Sequence, residues 1–224
     1  LLRQGSRNRL EAEVGGGWWE QNIAWASELG GKGCSYGSPA ARAELVLRFA
    51  DGTEKTVATT SAQGAEFTWR SVASPVVWNN VYGGEIYDAR VPDREGAVAS
   101  ADIDVPLRLC TLPPSRVLST RKAVSVSAKF PNGCDSFIYD FGTNLTGTVF
   151  FKMPALVPGT KVKVRLAETL TSEGYLDPRS EGAFATHLQP EYVYIAPAVP
   201  APAEWRPEFS YTTFRYAEVS GYAA

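Results

Sequence analysis

The densest group of chemically capable side chains is the phrase Gly84-Glu85-Ile86-Tyr87-Asp88-Ala89-Arg90, which brings two carboxyls, a phenol and a guanidinium close together. Paired carboxyls suit acid–base work on a glycosidic bond, with separations of about 5–5.5 Å for retention or about 6.5–9.5 Å for inversion. Glu85 and Asp88 are three apart, so on a regular strand they point to opposite faces, which is poor geometry for such a pair. Two readings stay open. These residues and Arg90 tie a strand end to neighbouring backbone and to each other, or they contribute directly to a sugar or ion site.

A second candidate is the pair Trp18-Trp19, which follows Gly15-Gly16-Gly17. A tryptophan on a glycine-rich turn can present its indole to the C–H face of a sugar. Consecutive residues of an extended chain point opposite ways, so one of the two indoles is expected to pack inward. Tyr82 and Tyr87 could line the same surface as Trp18, whereas Trp69 and Trp78 read as core and rim residues. Trp18, Trp19, Tyr82, Glu85, Tyr87, Asp88 and Arg90 therefore form the candidate carbohydrate-binding set, and no residue is assigned a catalytic role.

Other reactive groups are sparse. His187 is the only histidine and has no triad or metal-ligand spacing around it. Cys34, Cys110 and Cys134 are widely spaced and odd in number, which suits free thiols or one disulfide with a spare thiol. The redox compartment stays open. Asn144-Leu145-Thr146 has the N-glycosylation pattern but reads as a turn asparagine. Glu168 and Glu173 read as solvated loop charges or as an interdomain contact. Gly15 to Gly17 precede no helix-like segment, so no phosphate loop is expected.

The elements that must position these groups are strands. Period-two alternation dominates, and no segment sustains a 3.6-residue apolar period. Lys161, Lys163 and Arg165 alternate with Val162, Val164 and Leu166, the pattern of a strand with one wet face. Glu44 to Phe49 and Thr53 to Thr59 flank Asp51-Gly52, which predicts a hairpin with a two-residue type I′ turn. Further strands are expected at Arg9 to Val14, Glu66 to Arg70, Thr148 to Lys152, Tyr192 to Ile195 and Thr213 to Val219.

Many short strands between Gly, Pro and Asn/Asp turns predict an all-β fold of two β-sandwich domains. Leu112-Pro113-Pro114-Ser115 cannot continue a central strand, so the boundary is placed there, giving domains 1–110 and 111–224. Pro197 to Pro202 reads as a stiff surface loop. The 224 residues, 44% of them hydrophobic and 12% aromatic, can bury a real core. A net charge of -2 without basic clusters argues against a nucleic-acid surface, and no apolar run reaches membrane-span length.

Several phrases recur in a telling order: Glu11 to Trp18, Arg42 to Thr53, Trp69 to Arg90, Tyr139-Asp140-Phe141-Gly142-Thr143-Asn144-Leu145-Thr146-Gly147, Pro158-Gly159-Thr160, Ala167 to Leu170, and Trp205 to Gly221. Asp-Phe-Gly also occurs in protein kinases, but no kinase nucleotide loop or catalytic loop accompanies it here. In this order the phrases resemble the N-terminal β-sandwich region of bacterial-type α-L-rhamnosidases. The resemblance implies a jelly-roll module over 1–110, truncated at its N-terminus, and a concanavalin-like sandwich over 111–224. It also implies that a catalytic (α/α) barrel, with the acid and base carboxylates for releasing terminal α-L-rhamnose, follows this region.

The start at Leu1 and the mid-domain look of the first residues make a fragment the expectation. The expected partners are that barrel or other domains of a parent enzyme and a rhamnose-containing glycan, with no nucleic acid and no membrane. Alternatives are a free-standing lectin-like module and a purely structural interaction module. Where the family often has His-Gly before Phe-Arg-Tyr, this chain has Thr212-Thr213. No cofactor is expected. Related modules bind calcium, but some of the ligands lie in strands that would precede Leu1.

Overall fold

The computed structural model describes residues 8–20, 36–59, 69–98, 106, 108, 111–129, 135–181 and 190–221. Its strands are β1 (Glu44–Arg48), β2 (Glu54–Ala58), β3 (Ser71–Val72), β4 (Val76–Asn80), β5 (Gly84–Asp88), β6 (Glu95–Gly96), β7 (Ser125–Lys129), β8 (Ser136–Gly147), β9 (Phe151–Met153), β10 (Lys161–Ala167), β11 (Glu191–Ile195), β12 (Ala203–Trp205) and β13 (Thr212–Ser220). A short 3-10 turn spans Pro178–Glu181. The fold is all-β and sandwich-built, as the alternation indicates. No helix among the described residues is long and apolar enough to cross a membrane.

The main sheet has seven strands in the order β4-β5-β11-β10-β13-β8-β7. All of its neighbours are antiparallel except β5 and β11, which run parallel, with Glu85 opposite Tyr192 and Tyr87 opposite Tyr194. Strands from before the Pro113-Pro114 segment and strands from after it thus share one hydrogen-bonded ladder. The β9–β12 ribbon contributes Met153 and Trp205 to the core over one face of this sheet.

The core follows from β10. Val162, Val164 and Leu166 are buried, and they meet Tyr192 and Tyr194 of β11 and Phe214, Ala217 and Val219 of β13. Each such aliphatic side chain contributes about 1.5–3 kcal/mol on full burial. The aromatic rings interlock: Tyr87 stacks on Tyr194 at 5.6 Å and Trp205 stacks on Phe151 at 6.1 Å.

Several sequence expectations are corrected. The β1–β2 connection is a three-residue loop, because Phe49 pairs with Thr53 and the Gly52 N–H reaches the Phe49 carbonyl. Gly52 has φ 86°, and the Asp51 carboxylate accepts the Thr53 N–H and hydroxyl, which favours a turn with a glycine bulge over type I′. Arg9 to Val14 form no ladder among the described residues, since alternation alone supplies no partner strand. The strand expected over Thr148 to Lys152 is instead Phe151–Met153. Asn144 lies within β8, not in a turn, and its amide donates to Glu168. The Glu66 to Arg70 expectation lies mostly outside the described residues, as do Cys34, Cys110, Cys134 and His187.

Candidate functional site

β5 carries the Gly84 to Arg90 phrase into the sheet between the edge strand β4 and β11. At Gly84 φ is 101°, and a Cβ would stand 2.2 Å from the Glu191 carbonyl oxygen, so only glycine lets β5 and β11 approach. The register then points Glu85 to the core face beside Tyr192. Its side chain is fully buried. Oε2 accepts the backbone N–H groups of Glu208 and Phe209, each at 2.9 Å, and Oε1 has no hydrogen-bond partner among the described residues. Burial pushes this carboxyl's pKa up against the pull of the two N–H donors, and the charges of Glu208 and Glu13 push the same way. Burial likewise raises the Tyr87 phenol, assisted by Glu13 and Glu208.

Asp88 faces the opposite side of β5. It accepts the Arg90 backbone N–H at 3.0 Å and the Nε and Nη2 of the same guanidinium at 2.8 Å each. The guanidinium holds the Asp88 carboxyl below the usual carboxylate range. The two acids of the phrase are therefore separated by the sheet, and each is engaged by protein groups.

The second candidate group lies at the β4–β5 end. Gly16 donates to Asn79 Oδ1 at 2.9 Å, and Glu20 N–H closes on the Gly16 carbonyl at 3.0 Å, forming a turn through Gly17 at φ 52°. Gly15 lies so close to the Phe209 ring that a Cβ would meet it at 2.5 Å. Both indoles point outward, with Trp18 63% and Trp19 51% exposed, which corrects the expectation that one packs inward. In a turn, consecutive side chains do not alternate. Tyr82 meets Trp18 edge-on at 5.3 Å, and Trp19 meets Tyr36 at 5.2 Å. The Asn80 side chain fixes the adjoining bend by accepting the N–H groups of Tyr82 and Gly83. Trp18 and Tyr82 thus come together, Glu85 and Tyr87 share the inner face of β5, and Asp88 and Arg90 stand on its other side.

The sequence reading missed a cleft of about 300 Å3 lined by Tyr87, Phe150, Glu204, Trp205, Arg206 and Glu208. Only Tyr87 among these was a candidate. The Trp205-Arg206-Pro207 phrase was the available signal. The other paired phrases act as a clamp: Asp140 takes Arg215 bidentately, with Nε–Oδ1 and Nη2–Oδ2 both 2.9 Å, at the bulge between Phe214 and Tyr216. Arg215 lowers the Asp140 pKa. Among the described residues no three His, Cys, Asp or Glu side chains converge to hold a metal.

Fold and site together define a sandwich-built all-β protein with a concanavalin-like domain. Residues 1–104 match the α-L-rhamnosidase N-terminal domain, and residues 132–224 match the bacterial α-L-rhamnosidase concanavalin-like domain. The chain belongs to the bacterial α-L-rhamnosidase family.

It is 30% identical over 226 residues to an α-L-rhamnosidase of Formosa agariphila, covering 96% of this chain and 23% of that protein. An α-L-rhamnosidase of Streptomyces avermitilis is 30% identical over 235 residues, covering 96% and 20% respectively. The crystal structure of the Streptomyces avermitilis enzyme complexed with L-rhamnose superposes with TM-score 0.71 at 29% identity, over 93% of this chain and 20% of that one. Native α-L-rhamnosidase from Aspergillus terreus shares the fold at TM-score 0.70 and 24% identity, over 94% and 24%. The chain spans about a fifth to a quarter of the curated relatives it matches.

Proposed function

We propose that this chain is a non-catalytic β-sandwich portion of an α-L-rhamnosidase-like glycoside hydrolase and braces a catalytic barrel. The observation that carries this reading is the fate of the Glu85–Asp88 phrase: Glu85 is buried on the backbone of Glu208 and Phe209, and Asp88 is bound to Arg90 on the other face. Glu204 and Glu208 line the cleft, but they are ion-paired and open to water, whereas a general acid is made by shielding a carboxyl from water. In this reading residues 1–110 and 111–224 are the two building blocks, and β4–β5 is the arm by which the first joins the sheet of the second.

The test is an assay of the purified chain on an aryl α-L-rhamnoside, with no turnover expected. Turnover abolished by Glu208→Gln would overturn the proposal.

A second reading, a lectin-like carbohydrate-binding module, draws on the open Trp18 indole beside Tyr82. Trp19, Glu85, Tyr87, Asp88 and Arg90 complete its candidate set, of which Glu85 is buried in the core and Asp88 and Arg90 pair on the other face of β5. Calorimetric titration with L-rhamnose, with and without calcium, tests it, and absence of heat in both arms counts against it.

A further inference from the structure

We propose that the cleft between β5, β9 and β12 binds a single neutral saccharide unit, at a site separate from the Trp18–Tyr82 turn. The argument starts from its walls. Trp205 is locked against Phe151 and Tyr87 against Tyr194, so the aromatic floor is fixed before any ligand arrives. Glu85 holds the Glu208 end by its backbone N–H, which fixes the rim as well. Phe150 is 49% exposed, and Lys152 Nζ stands over its ring at 5.8 Å from the centroid, so the remaining ring surface is what it offers to C–H groups.

The charges select the ligand class. Glu204 lies 2.7 Å from Lys152 Nζ, and Glu208 lies 3.3 Å from Arg206 Nε. Each carboxylate is already neutralised, so a cationic ligand gains little there. An anion finds no net positive charge either, since Lys152 is held by Glu204 and Arg206 by Glu208. What remains is a set of planar acceptors and donors around aromatic rings, suited to vicinal hydroxyls and a C–H face. A volume of about 300 Å3 is at the small end for ligand sites and suits one sugar ring. The site does not depend on what the chain does beside a barrel.

The experiment is an NMR titration of the 15N-labelled chain with L-rhamnose, D-glucose and D-galactose, and with choline as a cationic probe. The reporters are the Trp205 indole N–H and the backbone amides of Glu208 and Phe209. The expected result is saturable shifts for at least one sugar in the millimolar range. Phe150→Ala should weaken binding about tenfold while keeping the dispersed spectrum of a folded chain. Trp18→Ala should leave it unchanged. Three results each overturn the site: choline binding without sugar binding, sugar shifts lost in Trp18→Ala but kept in Phe150→Ala, or no saturation with any sugar up to ~100 mM. A failure here leaves the rhamnoside assay untouched, so the two proposals are separable.

Discussion

Glu85 Oε2 accepts the backbone N–H of Glu208 at 2.9 Å, across 123 positions of sequence. With the Phe209 N–H on the same oxygen, one buried carboxyl fixes the connection between β12 and β13 to the middle of β5. Two phrases that look like separate signatures are therefore the two halves of one joint.

Glu85→Ala removes the acceptor from these two amides and leaves space in the core. The expected cost is about 2–4 kcal/mol of unfolding free energy, read by urea denaturation. A loss below about 0.5 kcal/mol would show that water replaces the carboxyl without penalty.

Glu85→Gln separates hydrogen bonding from charge. Because the folded pKa is raised, the folded chain holds this proton more tightly than the unfolded chain. The residue's stabilising contribution is then present below the unfolded pKa and fades as pH rises through the folded one. The parent should lose stability relative to Glu85→Gln as pH climbs above the ordinary glutamate range. Calorimetric melting at several pH values checks the sign, and a gap that moves the other way refutes the buried-acid picture.

Asp140→Asn should show the opposite slope. Arg215 depresses the Asp140 pKa, so the pair stabilises above the ordinary aspartate range and is lost as pH falls through the lowered value. The expected effect is a melting point about a few °C lower at pH 7, with the difference shrinking as pH falls through and below the ordinary aspartate range. A constant difference across pH would assign the effect to packing.

Gly84→Ala must open the β5–β11 pairing or twist it, since backbone atoms of Glu191 occupy the space for a methyl group. A destabilisation of roughly 3 kcal/mol or more, or failure to accumulate soluble chain, is expected. Wild-type melting in this variant would show that the parallel contact is looser than described.

Trp18→Ala and Trp205→Ala should differ sharply. The first removes an exposed ring and should change stability by less than about 0.5 kcal/mol, while the second empties a core position at about 3–5 kcal/mol. Paired urea titrations compare them directly.

What could be read from the sequence follows the range of the interactions. β10 was legible because its alternation is local and strict, and its burial repeats it. The hairpin at Asp51-Gly52 was placed correctly, but its turn type depended on the Asp51 carboxylate reaching Thr53. That Glu85 ties to backbone was one of the two readings, but which backbone was not legible, since the two N–H donors lie at Glu208 and Phe209, far along the chain. Nor was the Tyr87–Tyr194 stack, because nothing near either residue names a parallel neighbour. The cleft was hidden for the same reason, as its lining joins β5 to residues more than sixty positions away.

The parallel seam between β5 and β11 also bears on inheritance. Severing the gene near Pro113 would leave each half with a raw sheet edge, a ready template for aggregation. Recombination should therefore transmit these two portions together, and shuffled descendants that carry one without the other would need a substitute strand to cap it.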